Sequence, residues 1–279
     1  MKNFRYLGLL AATMVLAACT GEDEKRAEQL YREAEQAYAE EQYNYALALL
    51  DSIETTCKQA IEWRKAGHQF GYEVQLAIQQ DSLATADTML VAVTRSINEL
   101  VEQGHFEFEK GEYDELGRFY VKGTDTQSNI NRNYVHATVN EYGVVHLISE
   151  YRGSAYIDHT QMKFIGGDKS ESVSANVPLS NEGANYHFRN QGLCHESVTY
   201  VNDPAMAYAD VHASDKKMRA ALLYKDGSKC VYVDLTEQDR LALSQTWQLG
   251  QMLAAQLRYT QQSKVASGKI QFLKAKISK

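Results

Sequence analysis

The spacing of apolar residues changes period once along this chain, and that change limits the folds open to it. From Ala27 to about Gln103 apolar residues recur at steps of three and four; from Gly117 they alternate in short runs between turn residues. The first pattern is one face of a helix and the second is a half-buried strand. The expected class is therefore α+β: a helical domain over 27–110, then an antiparallel β-sandwich-like domain over 117–279 that closes with a helix. Gly104 and the charged, glycine-marked stretch Gly111–Gly117 mark the boundary. With 44% apolar residues and only two prolines, the chain can fill two real cores.

Within the first half, Ala27, Leu30, Ala34 and Ala37 form one seam, and Tyr43, Ala46, Leu50 and Ile53 form another. The short break at Glu40-Glu41-Gln42 suits an antiparallel pair. The pair resembles a single tetratricopeptide repeat, with Leu30, Ala34, Tyr43, Ala46 and Leu50 on its packing positions. No second copy follows: His68 and Gln80 stand where the two alanines would recur. A lone repeat cannot bury its own faces, so the pair is read as a borrowed element and not as a peptide-binding array. Two further seams follow, Ala60 to Ala77 and Leu83 to Leu100, with Gln80-Asp81-Ser82 between them. They predict an antiparallel helical hairpin, its second arm capped by Asp81 or Ser82. Close packing is the expected reason for Gly67 and Gly71. Trp63 and Phe70, at helical spacing, are read as core.

In the second half, strands are expected at 118–122, 134–139, 144–151, 161–165, 170–177, 185–189, 197–201 and 205–213. A hairpin follows from Met218 to Leu235, turning at Asp226-Gly227 in a type I′ turn. Short strands at this spacing favour a sandwich over a barrel. Thr236 and Asp239 form a capping arrangement for a helix to about Gln262, and Gly268 with alternating Ile270 and Phe272 suggests a late strand.

The start of the chain carries an address. Lys2 and Arg5 precede an apolar run, Leu7–Ala18, too short for the roughly 20 residues that span a bilayer. Leu16-Ala17-Ala18-Cys19 at its end resembles a bacterial lipobox. That resemblance implies a signal peptide at 1–18, removed before Cys19, and acylation of the Cys19 thiol and its new amine. The protein is then lipid-anchored at the outer membrane, on the cell-surface or the periplasmic side. Residues 19–26 form an acidic leash. Glu22-Asp23-Glu24 is similar to the export signal of surface lipoproteins in Bacteroides-like bacteria, and is equally a solvated spacer.

Several local runs resemble an uncharacterised family of Bacteroides-type lipoproteins. They include Tyr45-Ala46-Leu47, Arg132-Asn133-Tyr134, Ser149-Glu150-Tyr151-Arg152-Gly153, Ile157-Asp158-His159 and Glu196-Ser197-Val198-Thr199-Tyr200. The likeness covers about 27–235. It implies the two-part layout and supplies no site residues.

Catalytic constellations are not legible. The eight histidines show no tight ligand spacing, although His159, His187 and His195 all lie near turns and could converge. No nucleophile elbow is present, and Gly166-Gly167 reads as a turn. Glu150, Asp158, Glu182 and Glu196 are conceivable acid–base carboxylates, though each suits a turn or rim. No catalytic residue, metal or cofactor is assigned. Of the cysteines left after lipidation, Cys194 and Cys230 are the candidate disulfide in an oxidising compartment; the alternative is three free buried thiols, Cys57 included. A formal charge of −7 argues against nucleic acid as partner. Ten tyrosines from Tyr120 to Tyr232, among them Tyr134, Tyr186 and Tyr200, fit either strand packing or a glycan surface. The expected function is a non-enzymatic, membrane-tethered binding or assembly module with a protein or glycan partner. Its rival is a surface glycan-binding module or glycan-active enzyme.

Overall fold

The computed structural model describes residues 5–181 and 183–278, with side chains from Gly21 onward. Side chains of the signal-peptide segment and of Cys19 therefore lie outside the described residues. The fold is α+β, with five helices and two antiparallel sheets among the described residues. It divides into two compact units, one up to Thr88 together with residues from Tyr259, the other Met89–Arg258. Among the described residues no helix is long and apolar enough to cross a membrane.

The first unit is helical. Helices α1 (Arg5–Ala39) and α2 (Tyr43–Thr56) form the expected pair, with Ala27, Ala34 and Ala46 fully buried at the seam. The chain reverses between them through a Schellman-type end: Gln42 N–H donates to Ala37 O at 2.8 Å and Glu41 N–H to Tyr38 O at 3.0 Å. Glu41 takes the left-handed conformation there, φ 60°. Tyr31 and Tyr38 pack rings against Trp63 and Phe70 at 5.4–5.6 Å, so the aromatic stripe is core.

The expected hairpin is instead one uninterrupted helix of 43 residues, α3 (Ile61–Gln103). Gln80-Asp81-Ser82 holds no glycine or proline, and Asp and Ser cost only tenths of a kcal/mol inside a helix, about 0.7 at most. The apparent break has a geometric cause. Ala77 and Ala86 stand nine positions apart, about two and a half turns at 3.6 residues per turn. The seam thus changes face at that point without the helix ending. Helix α5 (Glu237–Ile277) likewise runs on past Gln262, and the late strand does not form. Ala266 and Leu273, both buried, lie two turns apart on one face, whereas Phe272 is 58% exposed. Within this unit α5 runs antiparallel to α3: Gln262 Nε2 donates to Ser82 Oγ at 3.1 Å and Ser263 Oγ to Asp87 Oδ1 at 2.9 Å.

Gly67 is not forced by close packing, since an added Cβ would meet Leu50 Cδ2 at 3.6 Å, an ordinary contact; at Gly268 it would meet nothing within 4 Å. Gly67→Ala and Gly268→Ala are each expected to stabilise the protein by about 1 kcal/mol, through lower backbone entropy in the unfolded chain. Thermal unfolding followed by circular dichroism checks this; an unchanged or lower midpoint contradicts it.

The second unit holds both sheets. Strands β1 (Phe106–Glu109), β2 (Arg118–Val121), β3 (Tyr134–Asn140), β4 (Val145–Gly153), β8 (Leu193–Val201) and β7 (Asn185–Asn190) form one sheet in the order β1-β2-β3-β4-β8-β7. Strands β10 (Cys230–Asp234), β9 (Arg219–Leu223), β5 (Gln161–Ile165) and β6 (Glu171–Val173) form the other, in that order. Val135, Ala137, Val139, Val145 and Leu147 from the first share a core with Met162, Phe164, Ala220 and Leu222 from the second.

Three expectations change here. Phe-Glu-Phe-Glu at β1 is a strand paired with β2, so the Gly111–Gly117 stretch is a loop inside this unit and not a boundary. The expected strand at 205–213 is helix α4 (Ala205–Val211). Asp203 accepts Ala205 N–H at 2.8 Å and Pro204 sits at φ −58°, a start signal that outweighs the local alternation. The β9–β10 hairpin forms as expected, but its turn is not type I′. Tyr224 N–H donates to Lys229 O across a longer loop, and only Gly227 takes positive φ, +69°.

Helix α5 lies close over the β3–β4 hairpin. A Cβ on Gly250 would fall under 3.0 Å from Val145 Cγ2, and one on Gly143 (φ +81°) under 3.0 Å from Gly250 O. The start of α5 carries the expected reciprocal cap, with Asp239 N–H on Thr236 Oγ1 at 3.1 Å and Thr236 N–H on Asp239 Oδ2 at 2.9 Å.

Candidate functional site

A two-residue side-chain period gives the six-stranded sheet two unlike faces. One carries the apolar core. Register puts Tyr134, His136 and Thr138 of β3 on the other, beside Ile148, Glu150 and Arg152 of β4. Ser197 and Thr199 of β8 continue that face, with Tyr120 of β2 on one side and Tyr186 and Phe188 of β7 on the other.

The segment between β2 and β3 folds against this face. Asn129, buried, donates to Gly123 O and Asp125 O, and Asp125 accepts the Ser128 N–H and hydroxyl at 2.9 and 2.8 Å. Those two bonds hold the Asp125 carboxyl below its usual range. Arg132 ties the segment down with a bidentate bond to Asp239, 2.8 and 2.6 Å. Burial alone would raise the Asp239 carboxyl; Arg132 and the Thr236 groups outweigh it and hold it low.

Between this segment and the sheet lies a groove of about 700 Å³, lined by Tyr120, Ser128, His136, Thr138, Glu150 and Thr199 among others. Glu150 Oε1 accepts the Ser197 hydroxyl at 2.8 Å, and Tyr120 donates to Glu107 at 2.8 Å. His136 Nε2 stands 3.9 Å from Glu150 Oε1, beyond hydrogen-bond range, and has no partner. Five buried side-chain polar atoms lack a partner among the described residues, and three of them, Tyr134 Oη, His136 Nε2 and Arg152 Nε, belong to this face. Burial pushes the Tyr134 phenol up to about 12. Buried polar groups are normally satisfied, and of these three only His136 lines the groove, so His136 Nε2 is the atom there that a hydrogen-bonding ligand would satisfy.

A second polar cluster lies on the core face. Glu196 is fully buried; its Oε1 accepts the N–H groups of Ile157 and Asp158 at 2.6 and 2.9 Å, and its Oε2 accepts His159 N–H at 2.9 Å and His159 Nδ1 at 2.6 Å. His159 Nε2 faces Ser149 Oγ at 2.9 Å. Burial opposes ionisation of Glu196, yet the His159 ring and the peptide N–H groups prevail and hold its carboxyl below the usual range. Serine, imidazole and carboxylate follow the order of a hydrolytic triad, but all three are fully buried, with no surface for a substrate to reach. The cluster anchors the 154–160 segment. Alternation along Cys194, Glu196, Val198 and Tyr200 was the available signal: Glu196 is the one charged residue among inward positions.

Of the three histidines expected to converge, His159 and His187 lie next to Glu196, while His195 is on the opposite face, stacked on Phe188 at 4.5 Å. Asp158, His187 and Glu196 offer metal-ligand atoms within 4.8 Å of one another. The donor set does not fit a metal. All four Glu196 acceptor sites are taken, and His187 Nε2 bonds Asn185 Oδ1 at 2.7 Å, so only Asp158 and the His187 Nδ1 remain. Of the four conceivable carboxylates, Glu150 lines the groove, Glu196 is the buried anchor, Asp158 adjoins it, and Glu182 lies outside the described residues. The candidate disulfide is absent: Cys57, Cys194 and Cys230 are all free. Cys194 on β8 accepts from Arg189 at 3.1 Å, and Cys230 belongs to the other sheet. Of the tyrosines, Tyr120, Tyr134 and Tyr186 share the groove face, and Tyr200 is core.

No protein-family model matches this chain, and neither the curated proteins nor the solved structures include a match.

Proposed function

We propose that this is a lipid-anchored envelope protein, non-enzymatic, which binds its ligand on the polar face of the six-stranded sheet. The observation that carries the binding role is the groove beside β3, β4 and β8, with the buried His136 Nε2 unpartnered in its wall. The lipobox at Leu16–Cys19 supports the anchor. Several acyl chains together give stable membrane attachment, since each buried methylene contributes about 0.8 kcal/mol.

The anchor is tested by expressing the full chain in a bacterial host and labelling with radioactive palmitate. Labelled protein is expected in the membrane fraction. Cys19→Ala is expected to lose the label and move to the soluble fraction if the export signal is still processed, or to accumulate as unlabelled precursor if it is not. Label retained in Cys19→Ala overturns the reading.

A further inference from the structure

We infer that the groove on the six-stranded sheet is a saccharide site, selective for short neutral oligosaccharides over acidic ones. This rests on the groove being the binding site, and names its ligand class.

Three observations point to sugar. First, β3, β4 and β8 are interior strands whose backbone N–H and C=O groups are consumed by sheet pairing. A peptide adding as a strand needs an edge; on this face only side chains can recognise a ligand. Those side chains are hydroxyls (Thr138, Ser197, Thr199), the His136 imidazole and the Glu150 carboxylate. His136 is nine-tenths buried, with Nε2 unpartnered, and Glu150 Oε2 makes no hydrogen bond among the described residues. An imidazole nitrogen and a carboxylate oxygen a few ångströms apart match a pair of vicinal sugar hydroxyls, each both donor and acceptor.

Second, Tyr186 pairs in register with Ser197 and is 57% exposed on the same face, so its ring stands at the end of the hydroxyl row where a pyranose face can stack. Phe188 and His195 extend that aromatic surface, stacked at 4.5 Å. Third, the groove's charge is acidic. Of the charged residues that line it, Glu109, Asp125 and Glu150 outnumber Arg118, itself paired with Glu109 at 2.9 Å, and Arg152 on the same face donates to Ile130 O. Uronic acids and sulfated sugars would meet net repulsion there. At about 700 Å³ the space falls within the range of small-ligand pockets, about 300–1,000 Å³.

The test is calorimetric titration of the full chain, purified in detergent, with short neutral oligosaccharides, their uronic-acid counterparts and a panel of short peptides. Neutral sugars are expected to bind, acidic ones not. Glu150→Gln and Tyr186→Ala are each expected to weaken binding about tenfold, the loss of one hydrogen bond or one stacked ring. Tyr186 is exposed, so its replacement leaves folding intact; an unchanged melting curve verifies this for both variants. Neutral-sugar binding that neither variant alters overturns the assignment. Binding of peptides alone, weakened by Glu150→Gln, overturns the sugar class while the groove remains the binding site. No binding by any probe overturns both the sugar class and the groove reading.

Discussion

Glu196→Ala is expected to cost about 3–5 kcal/mol of folding stability, a large share of the roughly 5–15 kcal/mol that holds a domain folded. The substitution strips the acceptor from the peptide N–H groups of Ile157, Asp158 and His159 and from the His159 ring at once. Ile157 and His159 are buried, so their groups are left unsatisfied rather than resolvated. Glu196→Gln keeps the shape but turns half of the carboxylate into a donor facing N–H groups, and is expected to be nearly as harmful. The pH dependence has a definite sign. The folded carboxyl titrates below its unfolded value of about 4.3. Its contribution is therefore complete at neutral pH and is lost as pH falls through the depressed folded value. Urea unfolding of both variants from pH 7 to pH 3 reads these effects; a variant as stable as the parent at pH 7 removes the anchoring role of Glu196.

Gly250→Ala is expected to destabilise by about 1–3 kcal/mol, the usual cost of overpacking, and to lie at the upper end. One obstacle is the branched Val145 side chain, and Gly143 O, a backbone atom, stands 3.3 Å away, so neither can rotate clear. The contrast lies within one helix. At Gly268 the same replacement meets open space and is expected to stabilise. Melting curves of the two variants side by side test the pair; a stabilising Gly250→Ala contradicts the close approach of α5 to the β3–β4 turn.

Much of the fold could be read from residue spacing, because spacing reports which face is buried. Ala34 and Ala46 at the α1–α2 seam, the β3 and β4 strands and the Thr236–Asp239 cap all stand where the pattern puts them. Element length was harder to read. The α3 seam shifts face between Ala77 and Ala86, and a periodicity argument takes a phase shift for a break. In α5 the alternation of Ile270 and Phe272 hid the two-turn spacing of Ala266 and Leu273. At 205–213 a strand-like run sits behind Asp203-Pro204, and the stronger signal was the cap.

The groove was legible only in halves. Alternation shows that His136, Thr138, Glu150, Ser197 and Thr199 point one way, but not that their strands are neighbours: β4 ends at Gly153 and its partner β8 begins only at Leu193. Nor does local sequence show that residues 123–133 fold over that face, because their tether is Arg132 to Asp239, 107 positions away.

That tether has a thermodynamic consequence. Asp239 supplies both the cap of α5 and the carboxylate that holds Arg132. Fraying of the first turn of the helix and lifting of the groove wall therefore share one broken contact. They are linked equilibria: steadying the wall steadies the helix end by the coupling free energy between them, steadying the helix end returns the same amount, and a ligand that filled the groove would be felt at Thr236 without touching it.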